Sequence, residues 1–326
     1  MLCIYNPSTD PYFNLAAEEY LLKEFRQDIF MLWRNHNSII VGKHQNTLAE
    51  INYDFVRENG IKVVRRLSGG GTVFHDLGNL NFTFIQTGEG EHLVDFRRYT
   101  QPILEVLSDM GIEARFEGRN DLTIEGRKFS GNAEHVYRDR VLHHGTLLFA
   151  SEIADLTAAL KVNPAKFHDK AVKSVRSRVT NISEHLREPM DISAFTQRIM
   201  AHVTSGRADS QAYTFSPDDE EAIRQLVRSR YSTWEWNFGY SPRYDFIRSF
   251  STSGGHVEVH FDVKDGIIRE ARIFGDFFHI RDTAELENLL TGLPHEYEAL
   301  RQALHNTEVG LYIRGCTADE FLQGLF

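Results

Sequence analysis

The chain has 326 residues, 41% of them hydrophobic and 25% charged, and a formal net charge of −10 at pH 7. This length exceeds the usual single core, so one large domain plus a small one is expected. The negative balance argues against a nucleic-acid partner, and the lack of any run of 18 apolar residues argues against a membrane-spanning helix.

In chain order, MLCIYNPSTDPYF carries neither a basic leader nor a small-residue cleavage site, so no secretory signal and a cytoplasmic location are expected. The two cysteines, Cys3 and Cys316, stand at opposite ends of the chain, which fits a reducing compartment and argues against a disulfide framework or a cysteine metal site. DPYFNLAAEEYLLKEF (10–25) predicts a capped helix. IFMLWR (29–34) and SIIVG (38–42) predict buried strands joined by a short polar turn. KVVRR (62–66), NFTFI (81–85) and GTLLFA (145–150) predict further strands, and helices are expected over 97–110, 151–161, 191–204 and 217–230. The uneven strand spacing predicts an α+β fold with a mixed sheet and helices packed on one side. After about residue 245 the pattern changes: GGHVEVHFDVKDGIIREARIFG (254–275) alternates on both sides of Lys264-Asp265-Gly266 and predicts a β-hairpin, with helices following near 283–291, 294–304 and 317–325. The expected division is a domain over 1–246 and a small α/β domain over 247–326, hinged at NFGYSPRY (237–244).

Three stretches point to chemistry. RRLSGGGTVFHDLGN (65–79) sets two arginines before three adjacent glycines. Glycine loses more conformational freedom on folding than any other residue, so the run implies a close approach to the backbone or a turn that a Cβ forbids. No helix opens directly after these glycines and no G-x-x-x-x-G-K-[ST] loop occurs, which excludes the common nucleotide fingerprints. Bare N–H groups beside arginine suit an anion; a tight hairpin with solvated arginines accounts for the tripeptide equally well. In GRNDLTIEGRKFSGNA (118–133), pairing 121–125 with 127–130 would bring Asp121 and Lys128 together, the carboxylate suited to Mg²⁺ and the ammonium to phosphate and carboxylate oxygens. Two unrelated surface charges are the alternative. Residues 161–178 carry six Lys or Arg against one acid, Asp169, which fits either a solvated face or a mobile basic loop that folds over an anionic intermediate. His143 and His144 in VLHHGTLLFA read as structural histidines, since no acid–base partner can be named for them.

Taken together, RRLSGGGTVFHDLGN, GRNDLTIEGRKFSG, HHGTLL and KSVRSRVTNI, with LWRNHNSIIVGKHQN upstream and WEWNFGYSP at the domain junction, resemble the lipoate–protein ligase A family over nearly the whole chain. The resemblance implies a biotin/lipoyl ligase fold on a mixed, mainly antiparallel sheet with packed helices, plus a small C-terminal accessory domain. It implies that lipoate and MgATP give lipoyl-AMP and pyrophosphate, and that the lipoyl group then passes to a lysine of an apo-lipoyl domain of a 2-oxoacid dehydrogenase acyltransferase subunit or of the glycine cleavage H protein. Residue by residue, it implies ATP binding by Arg66, Gly71, Thr72, Val73, Phe74 and Lys128, with Lys128 also catalytic and contacting lipoate. Lipoate contacts are implied for Val41, Leu67, Ser68, Gly70 and His75, an adenylate-binding loop for Lys170, Ser174, Val175, Arg176 and Arg178, and a magnesium role for Asp121. Thr72 departs from the smaller residue many relatives carry there. A monomer is expected. A biotin-type ligase shares the fold, an octanoyl transferase shares it but needs a catalytic cysteine, and a non-catalytic protein that binds lipoate or lipoyl domains is the third alternative.

Overall fold

The computed structural model describes residues 1–88, 94–153, 159–160, 167–169 and 179–326, the strand Phe167–Asp169 by its backbone alone. The chain forms two units: Met1–Lys43, Ile61–Ala159 and Ser174–Thr233 make the first, and His44–Gly60, Leu160–Lys173 and Trp234–Phe326 make the second. The expected boundary at 246/247 falls inside the strand Tyr244–Thr252 of the second unit, because alternation becomes visible only at the hairpin that follows this strand. The helix expected over 151–161 lies largely outside the described residues, and Lys170, Ser174, Val175, Arg176 and Arg178 lie wholly outside them. Among the described residues no helix is long and apolar enough to cross a membrane.

The first unit contains β1 (Leu2–Tyr5), β2 (Ile29–Trp33), β3 (Ser38–Val41), β4 (Lys62–Arg65), β5 (Val73–His75), β6 (Asn79–Thr87), β7 (Ala114–Glu117), β8 (Asp121–Ile124), β9 (Arg127–Tyr137) and β10 (Arg140–Leu148). Its main sheet runs Gln211–Ala212, β1, β2, β6, β10, β9, β8, β7. Pairing is parallel on both sides of β1 and antiparallel from β2 onward. β3 pairs parallel with β4 and antiparallel with β5 in a separate sheet, so β2 and β3 part company despite the short link between them. Asn35 in that link is fully buried, its amide held by Asn14.

β6 explains how the layers arise. In NLNFTFIQT the side chains alternate, sending Leu80, Phe82 and Phe84 to one face and Asn79, Asn81 and Thr83 to the other, yet all six are buried. The aromatic face packs against Tyr99, Ile103 and Leu107 of the helix Phe96–Asp109 and Phe195 and Ile199 of the helix Ile192–Ser205. A polar sheet face ordinarily meets water. Here the helix Pro11–Glu24 covers it, and Thr83 Oγ1 donates to Glu18 Oε1 at 2.6 Å. Helices therefore lie on both faces of the sheet rather than on one side.

The helix Pro11–Glu24 is fixed at three points. Asp10 caps its start by accepting from the Tyr12 N–H, with Pro11 at the first position. At its end, the buried Arg140 guanidinium donates to the carbonyls of Leu21, Leu22, Phe25 and Gln27, including orphan carbonyls of the last turn. In the middle, Glu19 is 1% exposed and accepts from Lys23 Nζ at 2.5 Å, Arg230 Nη1 at 2.6 Å and Tyr231 Oη at 2.8 Å. Burial pushes the Glu19 carboxyl up, but the bonds from Lys23 and Tyr231 and the charge of Arg230 outweigh it and hold it below its ordinary 4.5. A depressed folded-state pKa stabilises above the unfolded value and is lost as pH falls through the folded one. Glu19→Gln should therefore cost roughly 1–3 kcal/mol at pH 7. In thermal unfolding, the gap between variant and wild type should close as the pH drops below about 4; a gap constant from neutral to acid would refute the account.

The second unit rests on an antiparallel sheet in the order Phe167–Asp169, Tyr244–Thr252, Gly255–Lys264, Ile267–Gly275. The predicted hairpin turns at Asp265 and Gly266, with φ of 55° and 73°, the left-handed values its two-residue turn needs. Val257, Val259, Phe261, Val263 and Ile268 form one core with Leu286, Leu300, Leu304 and Phe321, residues of the helices Thr283–Leu290, Tyr297–His305 and Ala318–Gly324. Two short helices not expected from the sequence, Thr47–Glu50 and Tyr53–Glu58, also belong to this unit: Leu48 enters its core and the Tyr53 ring stacks on Phe326 at 4.7 Å. The stretch expected as a hinge begins in a wide helical turn, Glu235–Gly239, and ends in the strand Tyr244–Thr252.

Candidate active site

The glycine run links β4 to β5 and is shaped by Arg66. This arginine is 6% exposed, and its guanidinium turns back on its own loop. Nε donates to Ser68 Oγ at 3.0 Å, Nη1 to the Ile40 carbonyl at 3.1 Å, and Nη2 to the Gly69 and Gly71 carbonyls at 2.8 and 2.7 Å. Burial lowers the Arg66 pKa to about 10, with the charge of Glu18 opposing the shift, so the group stays cationic at neutral pH. Gly70 has φ of 95°, and a Cβ there would stand 3.0 Å from Arg66 Nη2. Glycine is needed at 70 both for that conformation and for the room. The loop is further pinned to the end of β3 by Arg66 N–H to the Val41 carbonyl and Lys43 N–H to the Ser68 carbonyl. The result is a cationic loop whose carbonyls point inward to arginine, with Gly70 exposed.

Lys128 stands on the β8–β9 hairpin, which turns at Glu125 and Gly126 with φ of 52° and 71°. The register shifts between Leu122, opposite Ser130, and Thr123, opposite Lys128, which leaves Phe129 as an extra residue on β9. Such a bulge re-aims its neighbours: Phe129 drops fully into the core, while Lys128 reaches Asp121 at 2.7 Å. Asp121 pairs with Gly131, where a Cβ would sit 3.0 Å from Lys128 Cε and Nζ, so the bare glycine is what lets the ammonium pass. Asn120 and Asn132 lock this register, each side-chain amide donating to the other's backbone carbonyl. The Thr180 N–H binds the Lys128 carbonyl at 3.0 Å, so the chain that follows the basic segment docks on this strand.

The glycine loop meets the polar face of the main sheet, where Ser68 Oγ lies 2.6 Å from His144 Nε2. Thr83 is opposite His144 in register, and His144 is opposite Ala133 on β9. Trp33 Nε1 donates to Thr83 Oγ1 at 2.9 Å. His75, at the end of β5, is reached by a chain of amides: the Ser8 N–H donates to Asn6 Oδ1, Asn6 Nδ2 to Asn14 Oδ1, Asn14 Nδ2 to Asn35 Oδ1, and Asn35 Nδ2 to His75 Nδ1 at 3.1 Å. Because a backbone donor starts the chain, every amide orientation follows from it, and His75 carries its proton on Nε2. That Nε2 is buried with no partner among the described residues. Burial, then the charges of Arg66 and His144, lower the His75 pKa to about 3, so the ring stays neutral and its Nε2–H is a standing donor. An orphaned buried donor of this kind is costly unless a ligand meets it.

Of the residues expected at the site, Val41, Arg66, Leu67, Ser68, Gly70, Gly71, Thr72, Val73, Phe74 and His75 lie in the loop or the small sheet that carries it, with Val41 fully buried and Leu67 half-buried. Asp121 and Lys128 are brought together as expected. Arg66 does not stand free for phosphate: four of its five N–H donors face protein oxygens. Among the described residues no group of three His, Cys, Asp or Glu could hold a metal ion, so a magnesium ion here would bind Asp121 together with oxygens of a bound phosphate. Glu18, Trp33 and Thr83 were not expected at the site. For Thr83 the signal was the polar alternation N-x-N-x-T within an otherwise apolar strand; Glu18 and Trp33 carried none.

The family model "Lipoyl protein ligase A/B catalytic domain" matches residues 10–204, and "Bacterial lipoate protein ligase C-terminus" matches residues 241–325. Lipoate-protein ligase LplJ of Bacillus subtilis is 42% identical, with 100% of both chains covered. Several solved structures are similar. LipL1 of P. falciparum in complex with lipoate has a TM-score of 0.64 at 25% identity, covering 99% of this chain and 97% of that one. A bipartite lipoate protein ligase of Thermoplasma acidophilum, described with its E2 lipoyl domain, has 0.63 at 26%, covering 73% and 96%. A lipoate-protein ligase A bound with ATP has 0.63 at 25%, covering 73% and 98%. Matched end to end with a curated relative and by both ligase models, the chain belongs to the lipoate–protein ligase family.

Proposed function

We propose that this chain is an ATP-dependent lipoate–protein ligase that makes lipoyl-AMP and passes the lipoyl group to a lysine of an acceptor domain. The observation that carries the reading is the Lys128 ammonium, held by Asp121 at 2.7 Å across the bare Gly131. In the first step a lipoate carboxylate oxygen bonds to the α-phosphorus of ATP, and the bond to pyrophosphate breaks. In the second step the acceptor amine bonds to the lipoyl carbonyl carbon, loses its proton, and AMP leaves. Both steps gather negative charge, and a fixed ammonium stabilises it more than water can. Lys128 contacts phosphate and lipoyl oxygens, Asp121 holds the magnesium of MgATP, and the exposed backbone of Gly70–Gly71 takes phosphate oxygens beside the cationic Arg66. Val41, Leu67, Ser68 and the His75 donor line the acyl channel. Lys170, Ser174, Val175, Arg176 and Arg178, which lie outside the described residues, bind the adenylate. The acceptors are lipoyl domains of 2-oxoacid dehydrogenases and the glycine cleavage H protein, and the enzyme acts as a cytoplasmic monomer.

Mass spectrometry of an apo-lipoyl domain incubated with this protein, MgATP and lipoate tests the reading. A gain of one lipoyl group that requires ATP is expected; biotin as the only acid supporting ATP–pyrophosphate exchange would overturn it. The transferase alternative needs a reactive thiolate. Cys3 and Cys316 are both buried, and burial raises both thiols, Cys316 to about 12. The Cys3→Ser, Cys316→Ser double variant should keep ATP-dependent lipoylation within about threefold, as expected of packing residues. ATP-independent transfer from octanoyl carrier protein that vanishes in this variant would refute the ligase assignment.

A further inference from the structure

One continuous set of hydrogen bonds joins the glycine loop to the helix behind the sheet. Arg66 Nε is 3.0 Å from Ser68 Oγ, Ser68 Oγ is 2.6 Å from His144 Nε2, and His144 Nδ1 is 3.0 Å from both Glu18 oxygens. All four side chains are buried: Arg66 is 6%, Ser68 1%, His144 8% and Glu18 3% exposed. Both ends of the set have a fixed direction. The Glu18 carboxylate can only accept, so His144 Nδ1 donates to it, and the Arg66 guanidinium can only donate, so Ser68 Oγ accepts from Nε–H; the Ser68–His144 bond closes the link between them. Thr83 Oγ1 supplies a further donor to Glu18 and itself accepts from Trp33, which fixes the far end. The near end is the guanidinium whose Nη2 draws the Gly69 and Gly71 carbonyls inward.

We infer that Glu18, His144 and Ser68 form a positioning relay that orients Arg66 and so holds the glycine loop with its carbonyls turned in and its N–H groups free for phosphate. Carbonyls facing an incoming phosphate would repel it, so loop polarity decides anion affinity. The three residues act through Arg66, and a relay linked end to end responds as a unit rather than as separate contacts.

The structural arm of the test is independent of catalysis. The Nε–H of Arg66, assigned by its absence in Arg66→Lys, should appear in a ¹H–¹⁵N spectrum as a slowly exchanging signal. Ser68→Ala and His144→Ala should each shift it and speed its exchange, and Ser68→Thr, which keeps the hydroxyl, should restore it. An Arg66 signal unchanged in both alanine variants overturns the relay, whether or not the wild type lipoylates any acceptor. The kinetic arm rests on the ligase reading. His144→Ala should raise KM for MgATP about tenfold and change kcat less than about threefold, and the KM for MgATP of the Ser68→Ala, His144→Ala double variant should rise no more than about twofold beyond that of either single one. A rise confined to the KM for lipoate, or fully additive losses, would overturn the relay. Glu18→Gln, which keeps the shape but removes the charge, gives a second entry should His144→Ala fail to fold; its Arg66 signal is expected to move the same way, and a signal that stays put overturns the relay.

Discussion

Lys128→Ala should lower lipoate-dependent ATP–pyrophosphate exchange by about a hundred- to a thousandfold, the usual cost of losing one preorganised charge-stabilising donor. The reason is local. Only the side chain of Lys128 faces Asp121, while its backbone carbonyl continues to accept from Thr180. The neighbouring Phe129 stays anchored in the core, so the hairpin keeps its bulge and register. The side chain is 27% exposed, and truncating it leaves no large cavity. Thermal unfolding of the variant should therefore stay close to wild type while adenylation collapses. Near wild-type exchange, measured with saturating MgATP and lipoate, would remove Lys128 from the mechanism.

Arg140→Met should act in the opposite way, on folding rather than on chemistry. It keeps the aliphatic stem but deletes the guanidinium donors to the carbonyls of Leu21, Leu22, Phe25 and Gln27. Each buried carbonyl left without a donor costs about 1–3 kcal/mol, and relaxation with water entry recovers part, so a net loss of about 3–5 kcal/mol is expected. Against a typical total of about 5–15 kcal/mol this is severe. Denaturant unfolding followed by a probe in the first unit should show the midpoint fall. A change below about 1 kcal/mol would mean that these carbonyls find other partners.

How much of this was legible follows from the range over which each signal acts. Asp121 and Lys128 could be paired from sequence because a Glu125-Gly126 turn brings near neighbours together and local geometry does the rest. The glycine run announced a special backbone for the same local reason. The bonds of Arg66 could not be read, since a buried guanidinium in its own loop and a solvated one have the same sequence. Glu18 and His144 meet across 126 positions, and neither stands in a pattern that names the other. Their meeting depends on the pleat of β6 and β10, which puts Thr83 and His144 on one face, and on a helix laid over that face. The same cause hid the second helical layer. A polar face in a strand reads as solvent-facing until something is found to cover it.

The helices Thr47–Glu50 and Tyr53–Glu58 have a consequence for biosynthesis. They emerge between β3 and β4 of the first unit, yet Leu48 is buried, and Tyr53 half-buried, against residues of the second unit that follow Tyr244. At a ribosomal rate of about 5–20 residues per second, the stretch from residue 60 to the end of the hairpin near residue 275 takes roughly ten to forty seconds to make. During that interval the first unit can assemble its main sheet while these apolar side chains have no native neighbours. The newborn chain thus carries a temporary sticky segment, a natural target for holding chaperones. For the same reason, a truncation that removes the C-terminal unit does not yield a clean catalytic domain: it strands residues 44–60 without their core, and such a fragment should aggregate unless that segment is excised as well.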